Sequence, residues 1–290
     1  MKNPHTHAIP HGTAAAQSRS LPALPARARS LSPERTAPAA QPAPFAGIRL
    51  QGSPAQQESA WLELRRVLEA AFCADSAAAV SPIPLICFEG LPGAGKSTQI
   101  AAVHAACELK YGRGEIIDPP SDSPIGLFLK SLYADRAAWQ RIQSANPWLN
   151  PILLAADLRL AVRAAAERGA RYALVDRGII STVFYNISAY AADEDAAWAA
   201  MEPHLAAFYR PAVTLFLDLP AEEAHRRVVA RRRGALRTMD MPEQMRADRA
   251  KLLRCQARLP QVPFCRINAA LPPRQVTRAI MDRLPDFLLA

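Results

Sequence analysis

The chain has 290 residues, half of them hydrophobic, and a formal net charge of +9, a composition that fits one large globular domain or two small ones. No apolar run approaches the roughly 18 residues a membrane-spanning helix needs. The five cysteines are scattered without a C-x-x-C pair, which argues against a zinc site and suits a reducing cytoplasm. The charge does not read as a nucleic-acid footprint. Residues 1–60 hold six Lys/Arg against two acids, or +4, and much of the remaining +5 lies in Arg226–Arg249, where a protein gripping polyphosphate needs local positive charge.

Residues 1–58 are rich in Pro, Ala, Ser and Arg. Without periodic apolar residues such a segment cannot offset its chain entropy, so a disordered extension is expected. It also resembles a transit peptide or export tag, but no continuous apolar stretch marks a secretory signal. His5, His7 and His11 read as solvated. Trp61, Leu62, Leu64, Val67, Leu68, Ala71 and Phe72 recur at helical spacing, predicting an amphipathic helix from about Ser59 to Asp75, in a segment (59–80) that packs on the domain that follows, 81–290.

Strand-like runs (Leu85–Glu89, Glu115–Ile117, Tyr172–Asp176, Val213–Asp218, Phe264–Asn268) alternate with helical ones (Ser97–Tyr111, Ile152–Arg168, Ala221–Arg232, Pro273–Phe287). That alternation, with Val/Ile/Leu-rich strands, predicts an α/β fold with a parallel sheet covered by helices on both faces. Ligands bind such sheets at the carboxyl ends of the strands. Gly90, Asp118-Pro119, Asp176-Arg177 and Asp218 all fall there.

Gly90-Leu-Pro-Gly-Ala-Gly-Lys-Ser-Thr98 fits the phosphate-binding pattern G-x-x-x-x-G-K-[ST], with a strand before it and a helix after it. This marks a nucleoside-triphosphate site. Gly90, Gly93 and Gly95 let the backbone turn with positive φ and aim N–H groups, including those at Ala94 and Thr98, at the phosphates. Lys96 reaches the β/γ-phosphates of ATP, the Ser97 hydroxyl ligates Mg²⁺, and the helix N-terminus faces the anion.

From about Leu85 to Leu284 the chain resembles the thymidylate kinase family. Phe88–Gln99 is similar to F-E-G-x-D-G-x-G-K-S-T-Q, and Asp118-Pro119 with Ser123–Gly126 to E-P-G-G-T-P-I-G with one extra residue. Leu154–Asp157 resembles L-F-A-A-D, Asp176–Asn186 matches D-R-Y-x-x-S-S-x-A-Y-Q without a gap, Leu217–Arg231 resembles L-D-x-P-P-E-x-A-x-x-R-x-x-x-R, and Ile267-Asn268-Ala269 resembles the terminal I-D-A. The resemblance implies a three-layer P-loop NTPase fold with an Arg-rich lid, and transfer of the γ-phosphoryl group of ATP to a nucleoside monophosphate, dTMP by family default. It implies that Arg177 holds the acceptor phosphate and that Asp176 helps place Mg²⁺. Ser181, Thr182 and Tyr185 then face the acceptor, whose other contacts include Asp118, Leu154 and Arg159. Some members carry a catalytic arginine in the phosphate loop and others in the lid. With Gly93 and Ala94 in this loop the lid must supply it, and Arg227, Arg231 and Arg237 are the candidates, Arg227 also toward the nucleotide, with Arg246 and Arg249 behind them.

Three acceptor positions depart from the family pattern. Pro92 replaces an acidic residue, Leu154 the stacking Phe, and Leu158 the base-reading Arg, with Arg159 one place late, about 100° round a helix. Two alternatives stay open, the first because Asp118-Pro119 and the Asp176-Arg177 pair also resemble nucleoside kinases, the second because of these departures. One is a deoxynucleoside kinase using Asp118 as base. The other is a non-catalytic ATP-binding interaction module. The sequence leaves the oligomeric state open, a homodimer among the options.

Overall fold

The computed structural model describes residue 68, residues 80–231 and residues 235–288. The expected N-terminal extension lies outside the described residues. So does the expected helix at 59–75, apart from Leu68, which is helical and packs against a cluster described below.

Five parallel strands form one sheet: β1 (Leu85–Glu89), β2 (Glu115–Ile117), β3 (Ala173–Asp176), β4 (Val213–Asp218) and β5 (Phe264–Asn268), in the order β2-β3-β1-β4-β5. The central strand β1 is buried along its whole length, as expected for a strand covered on both faces. It pairs with β3 and β4 on its two sides, and Phe88 stands opposite Asp176. That register sets the end of β3 beside the turn leaving β1, and Arg177 N–H donates to the Phe88 carbonyl at 3.0 Å.

Ten helices follow in chain order among the described residues: α1 (Lys96–Tyr111), α2 (Pro124–Ala134), α3 (Arg136–Ala145), α4 (Leu149–Glu167), α5 (Ile179–Asn186), α6 (Glu194–Leu205), α7 (Ala221–Ala230), α8 (Pro242–Ala257), α9 (Pro273–Met281) and α10 (Pro285–Leu288). The last predicted helix is thus two, broken after Met281. All five strands fall where the sequence placed them, β3 one residue shorter at its start. Helices α2, α3, α5, α6 and α8 were not among the predicted runs.

Local chemistry fixes the segment between β2 and α4. Ser123 accepts from the Gly126 N–H and caps α2, with Pro124 at its first position, and Asp135 accepts from the Ala138 N–H and caps α3, each cap contributing on the order of 1 kcal/mol. The Asp157 carboxylate on α4 accepts from Ser121 N–H (2.8 Å), Ser121 Oγ (2.5 Å) and Ser123 Oγ (2.6 Å). Buried and triply bonded, Asp157 pins the loop after β2 to α4. A separate apolar cluster of Ile125, Phe128, Leu129, Trp139, Leu149 and Leu153 holds α2, α3 and α4 together beyond the carboxyl edge of the sheet. Side chains from all three helices line a cavity described below.

Candidate active site

The turn after β1 carries three positive-φ glycines, Gly90 (137°), Gly93 (83°) and Gly95 (91°). A Cβ at Gly93 would stand 2.5 Å from the Ala224 carbonyl oxygen, whereas at Gly95 it would meet nothing within 4 Å. Gly93 is therefore needed for packing on α7, and Gly95 for its left-handed backbone beside open space. A cavity of about 760 Å³ opens here, lined by Gly93, Gly95, Lys96, Ser97, Arg231 and Arg237.

Lys96 is buried and donates to the carbonyls of Gly90 (3.2 Å) and Leu91 (3.1 Å). Burial first, then the neighbouring Arg177 charge, lowers its pKa to about 7. The ammonium is thus held by two weak acceptors in a site that favours an incoming anion. Ser97 Oγ lies 3.5 Å from Asp176 Oδ2, and Asp176 Oδ1 is buried with no partner among the described residues. A hydroxyl that lines the cavity, beside a carboxylate with an unsatisfied oxygen, would suit Mg²⁺ bound partly by phosphate and water. The donor set fits the ion.

Arg177 has φ 78°, a left-handed conformation uncommon outside glycine that must be enforced by its surroundings. Glu89 does the enforcing. The last residue of β1, fully buried, accepts from the Gly178 N–H (2.8 Å), the Ser181 N–H (3.0 Å) and the Ser181 hydroxyl. It thereby clamps the start of α5 directly after Arg177. Burial pushes the Glu89 carboxyl above the usual carboxylate range, against the Arg177 charge and these hydrogen bonds. The sequence reading assigned Glu89 no role, although a lone acid ending an apolar strand must find partners.

So held, the Arg177 guanidinium donates to Ser181 Oγ at 3.1 Å and to the Gly90 carbonyl at 3.4 Å, and lies over the Tyr185 ring at 5.7 Å. It also lines a second cavity of about 440 Å³, together with Leu154, Ser181, Thr182 and Tyr185. The structure thus brings these predicted acceptor residues together. Asp118 is exposed at the end of β2 and does not line that cavity, although Pro119 and Pro120 do. Partial burial and the Asp176 charge raise its pKa.

Two assignments are corrected. Arg159 does not reach the acceptor cavity: it is buried on the other side of α4, donating to the Ala207 carbonyl at 2.7 Å and stacked 4.6 Å from Tyr209. The one-residue offset turned it away, as the helical phase requires. Arg227 does not line the phosphate cavity. Its guanidinium donates to Glu223 (2.7 Å) and to the Ala269 carbonyl (3.1 Å).

Of the lid residues, Arg231 and Arg237 line the phosphate cavity, and Arg237 is tied to buried Asp240 (3.2 Å). Arg246 pairs with Glu222 (2.6 Å), and Arg249 binds Asp218 with two hydrogen bonds of 2.6 and 2.9 Å. Burial works against the Asp218 carboxylate, yet hydrogen bonds from Arg249 and Arg266 hold it below the usual range. That pair fastens α8 to the end of β4. The guanidiniums of Arg246 and Arg249 are thus both engaged in ion pairs.

The strand order, the glycine turn into α1 and the anion-ready Lys96 define a phosphate-loop nucleotide-binding protein of the α/β class. A family model for thymidylate kinase matches residues 88–280. The chain is 30% identical over 166 residues to a thymidylate kinase of Syntrophus aciditrophicus (strain SB), covering 57% of this chain and 71% of that protein. It is 32% identical over 156 residues to a thymidylate kinase of Chromohalobacter salexigens, covering 52% and 71% respectively. The chain belongs to the thymidylate kinase family and is a nucleotide kinase.

Among the described residues no helix is long and apolar enough to cross a membrane.

Proposed function

We propose that the protein transfers the γ-phosphoryl group of ATP to the phosphate of a nucleoside monophosphate, with dTMP as the first acceptor to test. The observation that carries this reading is the placement of Arg177, which bonds the phosphate loop at Gly90 and lines the neighbouring cavity. A planar guanidinium at that junction suits a bidentate grip on an acceptor phosphate facing the γ-phosphate.

Phosphoryl transfer needs positioning and charge stabilisation rather than covalent help from the protein. The bond from γ-phosphorus to the β–γ bridging oxygen breaks, and one to an acceptor phosphate oxygen forms. That oxygen is already anionic at neutral pH, so no base is required. Lys96 exchanges two backbone carbonyls for phosphate oxygens, and Arg231 and Arg237 face the same space to stabilise charge in the transition state. Mg²⁺, held by Ser97 and through water by Asp176, would neutralise polyphosphate charge.

Acceptor-dependent ADP release, screened over nucleoside monophosphates and nucleosides, tests the reading. Arg177→Ala should lower kcat/KM by a factor on the order of 100 or more, with Asp118→Asn milder. A nucleoside kinase using Asp118 as base would reverse that ranking, since losing a general base costs about 10² to 10⁴ in rate. Asp118 lies outside the acceptor cavity's lining, which favours the monophosphate. ATP binding without acceptor-stimulated turnover would leave only an interaction module.

A further inference from the structure

The acceptor cavity has a far wall that none of the family-like motifs explains. Arg136, Trp139 and Gln143 all line it. They stand at i, i+3 and i+7 on α3, so one helix face points three side chains of different chemistry into the space. On α4, by contrast, Leu158 is buried in the core and Arg159 faces the Tyr209 side.

The polar end of this wall has a fixed orientation. The Thr182 carbonyl can only accept, so the Asn186 amide turns its nitrogen toward it, at 2.7 Å. Asn186 Oδ1 must then accept, and does so from Asn150 Nδ2 (2.7 Å) and Gln143 Nε2 (2.8 Å). Asn150 Oδ1 accepts in turn from Tyr133 OH at 2.6 Å. The backbone carbonyl therefore sets the flip of every amide in the chain. Gln143 Oε1 has no partner among the described residues, and remains an acceptor whose position is set.

Arg136 is exposed at the first position of α3 and has no ion pair or hydrogen bond among the described residues. A cation at a helix N-terminus opposes the helix dipole, so Arg136 is not there to support α3. It offers donors only. Trp139 adds an indole to the same wall, edge-on to Tyr133 with centroids 5.3 Å apart, whereas Leu154 on α4 offers no aromatic face.

Resting on the monophosphate-kinase reading, we propose that α3 reads the acceptor base, with Arg136 donating to a base carbonyl and Gln143 Oε1 accepting from the adjacent ring N–H, while Trp139 supplies apolar contact. A carbonyl beside a ring N–H is the edge of thymine, uracil and guanine. Cytosine and adenine present an amino group beside an unprotonated ring nitrogen, reversing donor and acceptor. The base-reading guanidinium and the aromatic surface thus come from a different helix than the family pattern uses, and the selected acceptors are nucleotides with an oxo-imino edge.

The test is kcat/KM for dTMP, dUMP, dGMP, dCMP and dAMP with the wild type, Arg136→Ala, Arg136→Lys and Gln143→Leu. The wild type should favour the oxo-imino bases. Arg136→Ala and Gln143→Leu should lower kcat/KM on those bases by on the order of ten- to a hundredfold more than on dCMP and dAMP, chiefly through KM, and Arg136→Lys should restore part of the Arg136→Ala loss. Melting temperatures of the variants establish that they fold. Equal losses on all five nucleotides, or a wild type indifferent to the base, would overturn the inference while leaving the kinase reading intact. If no monophosphate is phosphorylated, the proposed function fails instead. Calorimetric binding of thymidine against deoxycytidine to the same variants then decides the base inference, a preference for thymidine lost in Arg136→Ala supporting it and equal affinities overturning it.

Discussion

The two ends of the site are built in different ways. The phosphate end is built around a contiguous run, Gly90–Thr98, with three positive-φ glycines and one buried lysine, and only Arg231 and Arg237 join its cavity as cations from elsewhere among the described residues. The acceptor end gathers side chains between Pro119 and Asn186 from α2, α3, α4, α5, the loop after β2 and the turn after β3. Binding a triphosphate is a backbone property that one short segment can encode. Recognising a particular acceptor is a property of side chains that only packing brings together, so it can change helix without disturbing the chemistry at the other end.

The largest expected effect is at the phosphate end. Lys96→Ala should lower kcat by on the order of 10³, as for loss of one preorganised charge at a developing anion, and by the same factor for every acceptor. The melting temperature without ATP should hold or rise, because a buried cation with a lowered pKa is removed. An acceptor-dependent loss would break the division between the two ends.

Glu89→Gln probes the link between them. Glutamine offers one acceptor oxygen where the carboxylate serves three donors from Gly178 and Ser181, and an unsatisfied buried donor costs about 1–3 kcal/mol. Thermal unfolding should show that loss, and acceptor KM should rise as Arg177 loses its fixed backbone. A stability loss without any change in acceptor KM would show that the clamp does not position Arg177.

A smaller effect follows from the Lys96 pKa of about 7. The unfolded chain holds this proton up to about 10.4, so between these limits it binds more protons than the fold, and the ATP-free protein gains stability as pH rises through that window. ATP favours the protonated lysine. Its affinity should therefore fall by up to about tenfold per pH unit above 7, with proton uptake visible by calorimetry at pH 8 in buffers of different ionisation enthalpy. Absence of uptake, or uptake that persists in Lys96→Ala, would show that another group titrates. The smallest effect is expected from removing residues 1–55, which lack the apolar periodicity to join the core. Turnover and cooperative unfolding should be unchanged, and loss of either would give the segment a structural role.

The sequence made the phosphate loop, all five strands and the Asp176–Arg177 pair legible, because each is a local pattern: a glycine spacing, a short apolar run, an acid and base ending a strand. It did not make α3 legible. In Arg136–Ala145 only Ala138, Trp139 and Ile142 are large or buried enough to mark an apolar face, too few to stand out as periodic. Arg159 looked like the displaced reader of the base because spacing along the chain was the sole guide, and its helical phase put it against Tyr209 instead. The role of Glu89 depended on Gly178 and Ser181, roughly ninety residues away and adjacent only through β1–β3 pairing.

By itself, then, the sequence determined that this chain is an α/β nucleotide kinase with a glycine-rich phosphate-loop pattern at the end of β1, since backbone turns and strand periodicity are written within a few residues. Only the tertiary structure decided which side chains line the second cavity, which arginines are engaged in ion pairs and which face open space. Those outcomes depend on helix phase and strand register, where a shift of one residue turns a guanidinium from the cavity to the core.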